Sequence, residues 1–105
     1  MKILLSVHDE AVPDTFREFA ERSVHEVLSP YEKRLTRVEI HLRDMNGKKG
    51  GIDKRCVIEA RPKGLDPVAA EHDSTKVADA FQGALEKLRR VLERRFGRMA
   101  ARDSR

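Results

Sequence analysis

Four bases recur at helical spacing near the C-terminus: Lys87, Arg90, Arg94 and Arg98. At about 100° per residue they fall within roughly an 80° arc of one helix. The acids Asp79, Glu86 and Glu93 fall away from that arc. Such a row can follow a ridge of regularly spaced phosphates, exchanging condensed counterions for side-chain charge. The plainer alternative is a solvated face, because bases also favour a helix C-terminus through the dipole. Residues 86–105 hold eight bases against three acids, an excess larger than the net +4 of the whole chain. A basic block on a near-neutral body fits a polyanionic partner, nucleic acid first. Arg89 lies off the row and reads as solvated. Arg95 projects toward the apolar side, which makes sense where the helix outruns whatever it packs on.

Other chemistries find little support. His8 and His41 come near each other on one sheet face while His72 points to the other, so no ligand spacing arises and no metal is expected. Cys56 sits among apolar neighbours, as a buried small hydrophobe and not a nucleophile. Gly47-Lys48-Lys49-Gly50-Gly51 lacks the following helix that a phosphate loop requires. No Ser/His/Asp or Cys/His arrangement is present, and neither catalysis, nor a cofactor, nor a small-molecule substrate is expected. The run Ile3-Leu4-Leu5 is too short for a secretory segment, and no stretch reaches membrane-spanning length. A cytoplasmic location is expected.

The elements that would position the basic row follow from periodicity. The composition, 39% hydrophobic and 38% charged over 105 residues, is that of one globular domain. Ile3–Val7 reads as a strand. Pro13 opens a helix carrying Phe16, Phe19, Ala20, Val24, Val27 and Leu28, and Ser29-Pro30 stops it. Val38, Ile40 and Leu42 alternate with Arg37, Glu39, His41 and Arg43, and a second alternation runs from Arg55 to Arg61. Asn46-Gly47 begins the hairpin connection between them. Pro62-Lys63-Gly64 turns the chain, Val68–His72 makes an edge strand, and Asp73 or Ser74 caps the last helix. That helix places Val77, Phe81, Ala84, Leu85, Leu88, Leu92 and Met99 on one apolar stripe.

The order β-α-β-β-β-α implies an α+β two-layer sandwich, a four-stranded sheet with both helices on one face. The first two strands are parallel and the next two are hairpin neighbours. Strand directions then gather Lys33, Arg34, Arg37, Arg61, Lys63, Arg94, Arg95 and Arg98 at one end of the domain. Asp9, Glu10, Asp14, Asp44, Asp53, Glu71 and Asp73 gather at the other, relieved by Lys48, Lys49 and Lys54. The open sheet face shows Arg37, Glu39, His41, Arg43, Arg55, Val57, Glu59 and Arg61, which cross-strand ion pairing explains. It has no aromatic stacking platform, because Phe16, Phe19 and Phe81 are core, Phe96 ends the helix and Tyr31 lies in a linker. Recognition by shape and phosphates follows, not base stacking.

Three stretches resemble the ribosome hibernation-promoting factors, also called ribosome-associated inhibitors, in their short form. They are Pro13-Asp14-Thr15-Phe16-Arg17-Glu18-Phe19, the passage from Val68 to Ala80, and Leu85-Glu86-Lys87-Leu88-Arg89-Arg90-Val91-Leu92-Glu93-Arg94-Arg95, which is similar to the family's basic second helix. The resemblance spans residues 2 to about 98. It implies a protein bound to the small ribosomal subunit, in the channel that holds messenger and transfer RNA, where it suppresses translation. It casts Lys87, Arg90, Arg94, Arg95 and Arg98 as ribosomal-RNA contacts, and Arg22, Lys33, Arg34, Arg37 and Lys63 join them as candidate RNA-binding residues. Ser6-Val7-His8 stands where family members commonly carry Gly-Arg-His, and Glu18, Glu21 and Glu26 make the first helix acidic outside. The expected organisation is a single domain over 1–98 with a basic tail over 99–105, monomeric off the ribosome. The competing expectation is a protein-interaction domain whose long helix meets an acidic partner, or pairs with itself through Leu92, Phe96 and Met99.

Overall fold

Alternation with a period of two gives a strand one wet and one dry face, and β2 (Leu35–Asp44) and β3 (Lys54–Pro62) follow it closely. The computed structural model describes residues 1–8, 12–44 and 54–103, and the side chains of 1–7, 12–44 and 54–97. Around the two central strands lie β1 (Lys2–His8), α1 (Asp14–Leu28), β4 (Val68–Ser74) and α2 (Val77–Asp103). The sheet order is β1-β2-β3-β4. β1 runs parallel to β2, with Leu5 opposite Ile40, and the other two pairings are antiparallel, with Ile40 opposite Ile58 and Ile58 opposite Ala70. The expected hairpin connection at Asn46–Gly51 lies outside the described residues, as do Asp9, Glu10, Lys48, Lys49 and Asp53.

One face of this sheet is dry. Val38, Ile40, Leu42, Cys56, Ile58 and Ala60 are buried with Ala20, Val24 and Leu28 of α1 and Ala80, Phe81, Ala84, Leu85, Leu88 and Leu92 of α2. Both helices therefore share a single core on one side, as the order of elements predicts. Phe81 sits where they meet, edge-on to Phe16 at 5.8 Å and to Phe19 at 5.9 Å. Each such fully buried side chain contributes about 1.5–3 kcal/mol.

The boundaries carry four differences from the expectations. Pro13 takes the position just before α1, where its carbonyl accepts hydrogen bonds from the Phe16 and Arg17 N–H groups. Ser29-Pro30 ends the α-helix, but the chain continues as a 3₁₀ segment, Ser29–Arg34, whose early proline lacks only an N–H that would have no partner there. Tyr31 of that segment stacks on Phe96 of α2, centroids 5.5 Å apart. β4 reaches Ser74 and not His72, because Asp73 is spoken for: its carboxylate accepts two hydrogen bonds from the facing Arg55 guanidinium, at 2.9 and 3.1 Å. Asp73 is thus a cross-strand partner and no helix cap. Ser74 Oγ accepts the Lys76 N–H at 3.5 Å, one residue short of α2.

α2 has 27 residues, about 40 Å of helix against about 23 Å for a seven-residue strand. The radius of gyration, 14.7 Å, exceeds the roughly 13 Å of a compact chain this long, in keeping with an elongated body of 55 × 24 × 19 Å. Gly83 brings the helix close to β4: a Cβ there would overlap the imidazole of His72. His72 accordingly faces the helices, on the side opposite the open sheet face.

Candidate nucleic-acid interface

α2 is held between two neighbours that decide which of its faces stays free. On one flank Gly83 rests on His72, and Lys87 Nζ donates to the Glu71 carbonyl of edge strand β4 at 3.1 Å. Phe81, roughly 120° around the helix from Lys87, meets α1 on the other flank. The basic row thus runs along the outer, β4 side of the helix.

On this row the arginines differ in what they hold. Arg94 is exposed and has no hydrogen bond or ion pair among the described residues. The Arg90 side chain is 67% exposed, with one long ion pair to Glu86 at 3.4 Å. Arg98 falls outside the described side chains. The acids beside the row are turned from it by Arg89, which grips Glu86 with two hydrogen bonds at 2.7 and 3.0 Å and Glu93 with one at 2.8 Å. The Arg89 hydrogen bonds hold the Glu86 carboxyl below its ordinary range, and the Arg89 pKa is raised in turn, first by its hydrogen bond to Glu86. Arg89 is therefore a clamp and not a solvated residue. Its spacing to Glu86 (three) and Glu93 (four) was the available signal.

A second basic group forms at the end of the molecule where the 3₁₀ segment, the β3–β4 turn and α2 converge. The Lys63 N–H donates to the Arg34 carbonyl at 2.9 Å, and the Arg34 guanidinium lies 4.9 Å from the Phe96 ring centroid. Arg95 reaches over the sheet's end and donates to the Asp66 carbonyl at 3.0 Å, which accounts for its inward projection. Lys33 and Lys63 are exposed. The turn itself depends on Gly64, whose φ of 70° favours glycine.

Two candidates stand apart. Arg22 is exposed on α1, beyond the flank of α2 that carries Phe81. Arg37 lies on the open sheet face, 3.1 Å from Glu39, which also meets Arg61 at 3.3 Å, while Arg61 pairs with Glu59 at 3.0 Å. Glu39 Oε2 and Arg37 Nε are buried without a hydrogen bond; the carboxylate has opposite charge at close range but not aligned donors. With Arg55 committed to Asp73, the face largely neutralises itself, as ion pairing predicts. Leu92 is fully buried and Phe96 is 6% exposed, which removes both from the surface that self-pairing through the helix requires.

Among the described residues no group of three or more His, Cys, Asp or Glu is arranged to hold a metal. No described helix is long and apolar enough to cross a membrane. Cys56 is buried, and burial pushes its thiol up to about 12.

No curated protein matches the sequence. Among solved structures, a ribosomal subunit interface protein from Coxiella burnetii is similar with a TM-score of 0.78 at 16% identity, covering 92% of this chain and 99% of that one. The N-terminal domain of Protein Y from Thermus thermophilus is similar with a TM-score of 0.71 at 22% identity, covering 90% of this chain and 98% of that one. At these identities the likeness is one of fold. The model of the family described as Sigma 54 modulation protein / S30EA ribosomal protein matches residues 3–100, and the chain belongs to that family, in agreement with the resemblance of its basic last helix to the hibernation-promoting factors.

Proposed function

We propose that this chain docks on the small ribosomal subunit through the basic edge of α2 and suppresses translation by occupying the channel of messenger and transfer RNA. The observation that carries this reading is the uncompensated pair Arg90 and Arg94 on the outer side of α2, with nearby carboxylates drawn off by Arg89. Phosphate contacts and counterion release supply affinity without sequence preference, and the mechanism is steric occlusion, with no chemical step. Lys33, Arg34 and Lys63 extend the contact at the end of the domain, where Arg34 keeps its charge over Phe96. The self-neutralised sheet face leaves Arg37 a minor part. The family and the names of the two structural neighbours support a ribosomal partner. Residues 1–98 act as one domain with 99–105 as a basic tail, and the protein is monomeric and cytoplasmic when off the ribosome.

The test is sedimentation of the purified chain with small subunits at low and at high salt, together with a cell-free translation assay. The expected result is stoichiometric pelleting at low salt, release at high salt, and dose-dependent inhibition. Protein that stays in the supernatant at low salt and leaves translation untouched overturns the proposal.

A further inference from the structure

Gly97 stands inside α2, well before the helix ends at Asp103, and neither packing nor backbone conformation accounts for it. A glycine within a helix costs about 1 kcal/mol relative to alanine. At Gly83 the imidazole of His72 explains the cost; at Gly97 a Cβ would meet nothing within 4 Å. The bare position instead opens a surface concavity of about 570 Å³ lined by Arg90, Glu93, Arg94 and Gly97. These residues are one and two turns apart, so the two guanidinium groups flank the place where a side chain at 97 would stand. Both are exposed, and Arg94 is without a partner among the described residues.

The acids beside this concavity could close it. Glu86 lies four residues before Arg90 and Glu93 three after, both at pairing distance along a helix. Arg89 prevents this by holding Glu86 at 2.7 Å and Glu93 at 2.8 Å, against 3.4 Å from Arg90 to Glu86.

We infer that Gly97 is the floor of a phosphate seat: one RNA backbone phosphate lies over the bare helix between Arg90 and Arg94, and Arg89 is the positioning residue that keeps Glu86 and Glu93 out of it. The inference rests on the proposed docking edge and deepens it. Without a side chain at 97, the phosphate approaches the helix closely enough for both guanidinium forks to reach it, the geometry in which charge-assisted hydrogen bonds are strongest.

The experiment measures binding of the fluorescently labelled full chain to purified small ribosomal subunits across a salt series, beside thermal unfolding of each variant. Gly97→Ala is expected to raise the melting temperature and bind within about threefold of the parent. Gly97→Leu fills the seat without changing charge. It is expected to melt no lower than the parent and bind about tenfold more weakly. Arg89→Ala is expected to lose about fivefold, and adding Glu86→Gln with Glu93→Gln is expected to gain more in that background than in the parent, a coupling that loss of one distant charge does not produce. If Gly97→Leu binds like the parent while Arg90→Glu with Arg94→Glu binds weakly, the seat is refuted and the docking edge stands. If the arginine reversal also binds like the parent, the docking edge falls and the seat with it. A Gly97→Leu chain that melts well below the parent counts against the seat as well, since it assigns Gly97 a packing role.

Discussion

Reversing Arg90 and Arg94 together to Glu probes the docking edge at the two guanidinium groups least committed to the protein. Arg90 is 67% exposed with an ion pair of 3.4 Å, and Arg94 is exposed with no partner among the described residues. An edge that neutralises about four to six phosphates gives a plot of log K against log salt with a slope of about −3 to −5. At a slope of −4, binding weakens roughly 250-fold between about 50 and about 200 mM salt. The double reversal removes two contacts, so the slope should flatten by about 2. Charge-assisted hydrogen bonds contribute about 1.5–3 kcal/mol each, so two lost contacts weaken low-salt binding by about a hundredfold or more. The new carboxylates stand near Glu86 and Glu93, and like charges at this spacing cost about 0.3–0.5 kcal/mol per pair, about 1 kcal/mol in all. A melting temperature lower by about 5 °C follows, with the fold intact. The assay is a salt series with small subunits, run beside Arg43→Glu with Arg55→Gln on the sheet face, where a change of less than about threefold is expected. An unchanged slope in the α2 variant, or greater damage from the sheet-face pair, refutes the choice of docking surface.

Two further outcomes concern the core that carries this edge. Gly83→Ala places a methyl group in the His72 ring, so its propensity gain of about 1 kcal/mol is outweighed by overpacking, for a net loss of about 1–2 kcal/mol and about 5–10 °C. His72→Ala in the same chain should recover most of it, and thermal unfolding that shows Gly83→Ala stabilising, as expected of Gly97→Ala, refutes the close contact. Cys56, with its thiol pushed up to about 12 by burial, should resist alkylation near pH 8 until the chain unfolds. Because the unfolded thiol ionises first, its contribution to stability is whole below about pH 9 and declines as pH rises toward 12. Rapid labelling of the folded chain contradicts both statements.

Local period made most of the fold legible. Val38, Ile40 and Leu42 alternate with charges, and Phe81, Leu85, Leu88 and Leu92 recur at helical spacing, so element types, order and buried faces follow from neighbours a few residues apart. What was not legible depends on distant partners. Asp73 before a helix has the form of a cap, and only Arg55, 18 residues away on the facing strand, makes it the end of β4. Tyr31 and Arg34 look like linker residues until Phe96 meets them from the far end of α2. Arg95 seems misplaced until the Asp66 carbonyl receives it.

The same distinction separates the arginines that can serve RNA from those that cannot. Sequence counts Arg37, Arg55, Arg89, Arg90 and Arg94 as equal charges, but a guanidinium is available to a phosphate only when no carboxylate of its own fold holds it. Arg37 and Arg55 are taken across strands, by Glu39 and Asp73, through pairings that no spacing reveals. Arg89, by contrast, is taken within one helix, and that was readable: it stands three residues after Glu86 and four before Glu93, while Arg90 stands four after Glu86 and three before Glu93. Two arginines thus compete for the same two acids, and spacing alone does not name the winner. The structure gives both acids to Arg89 with short hydrogen bonds. Arg90 keeps one long contact and most of its exposure, and with Arg94 it gives the outer edge of α2 a positive charge that the rest of the chain leaves uncompensated.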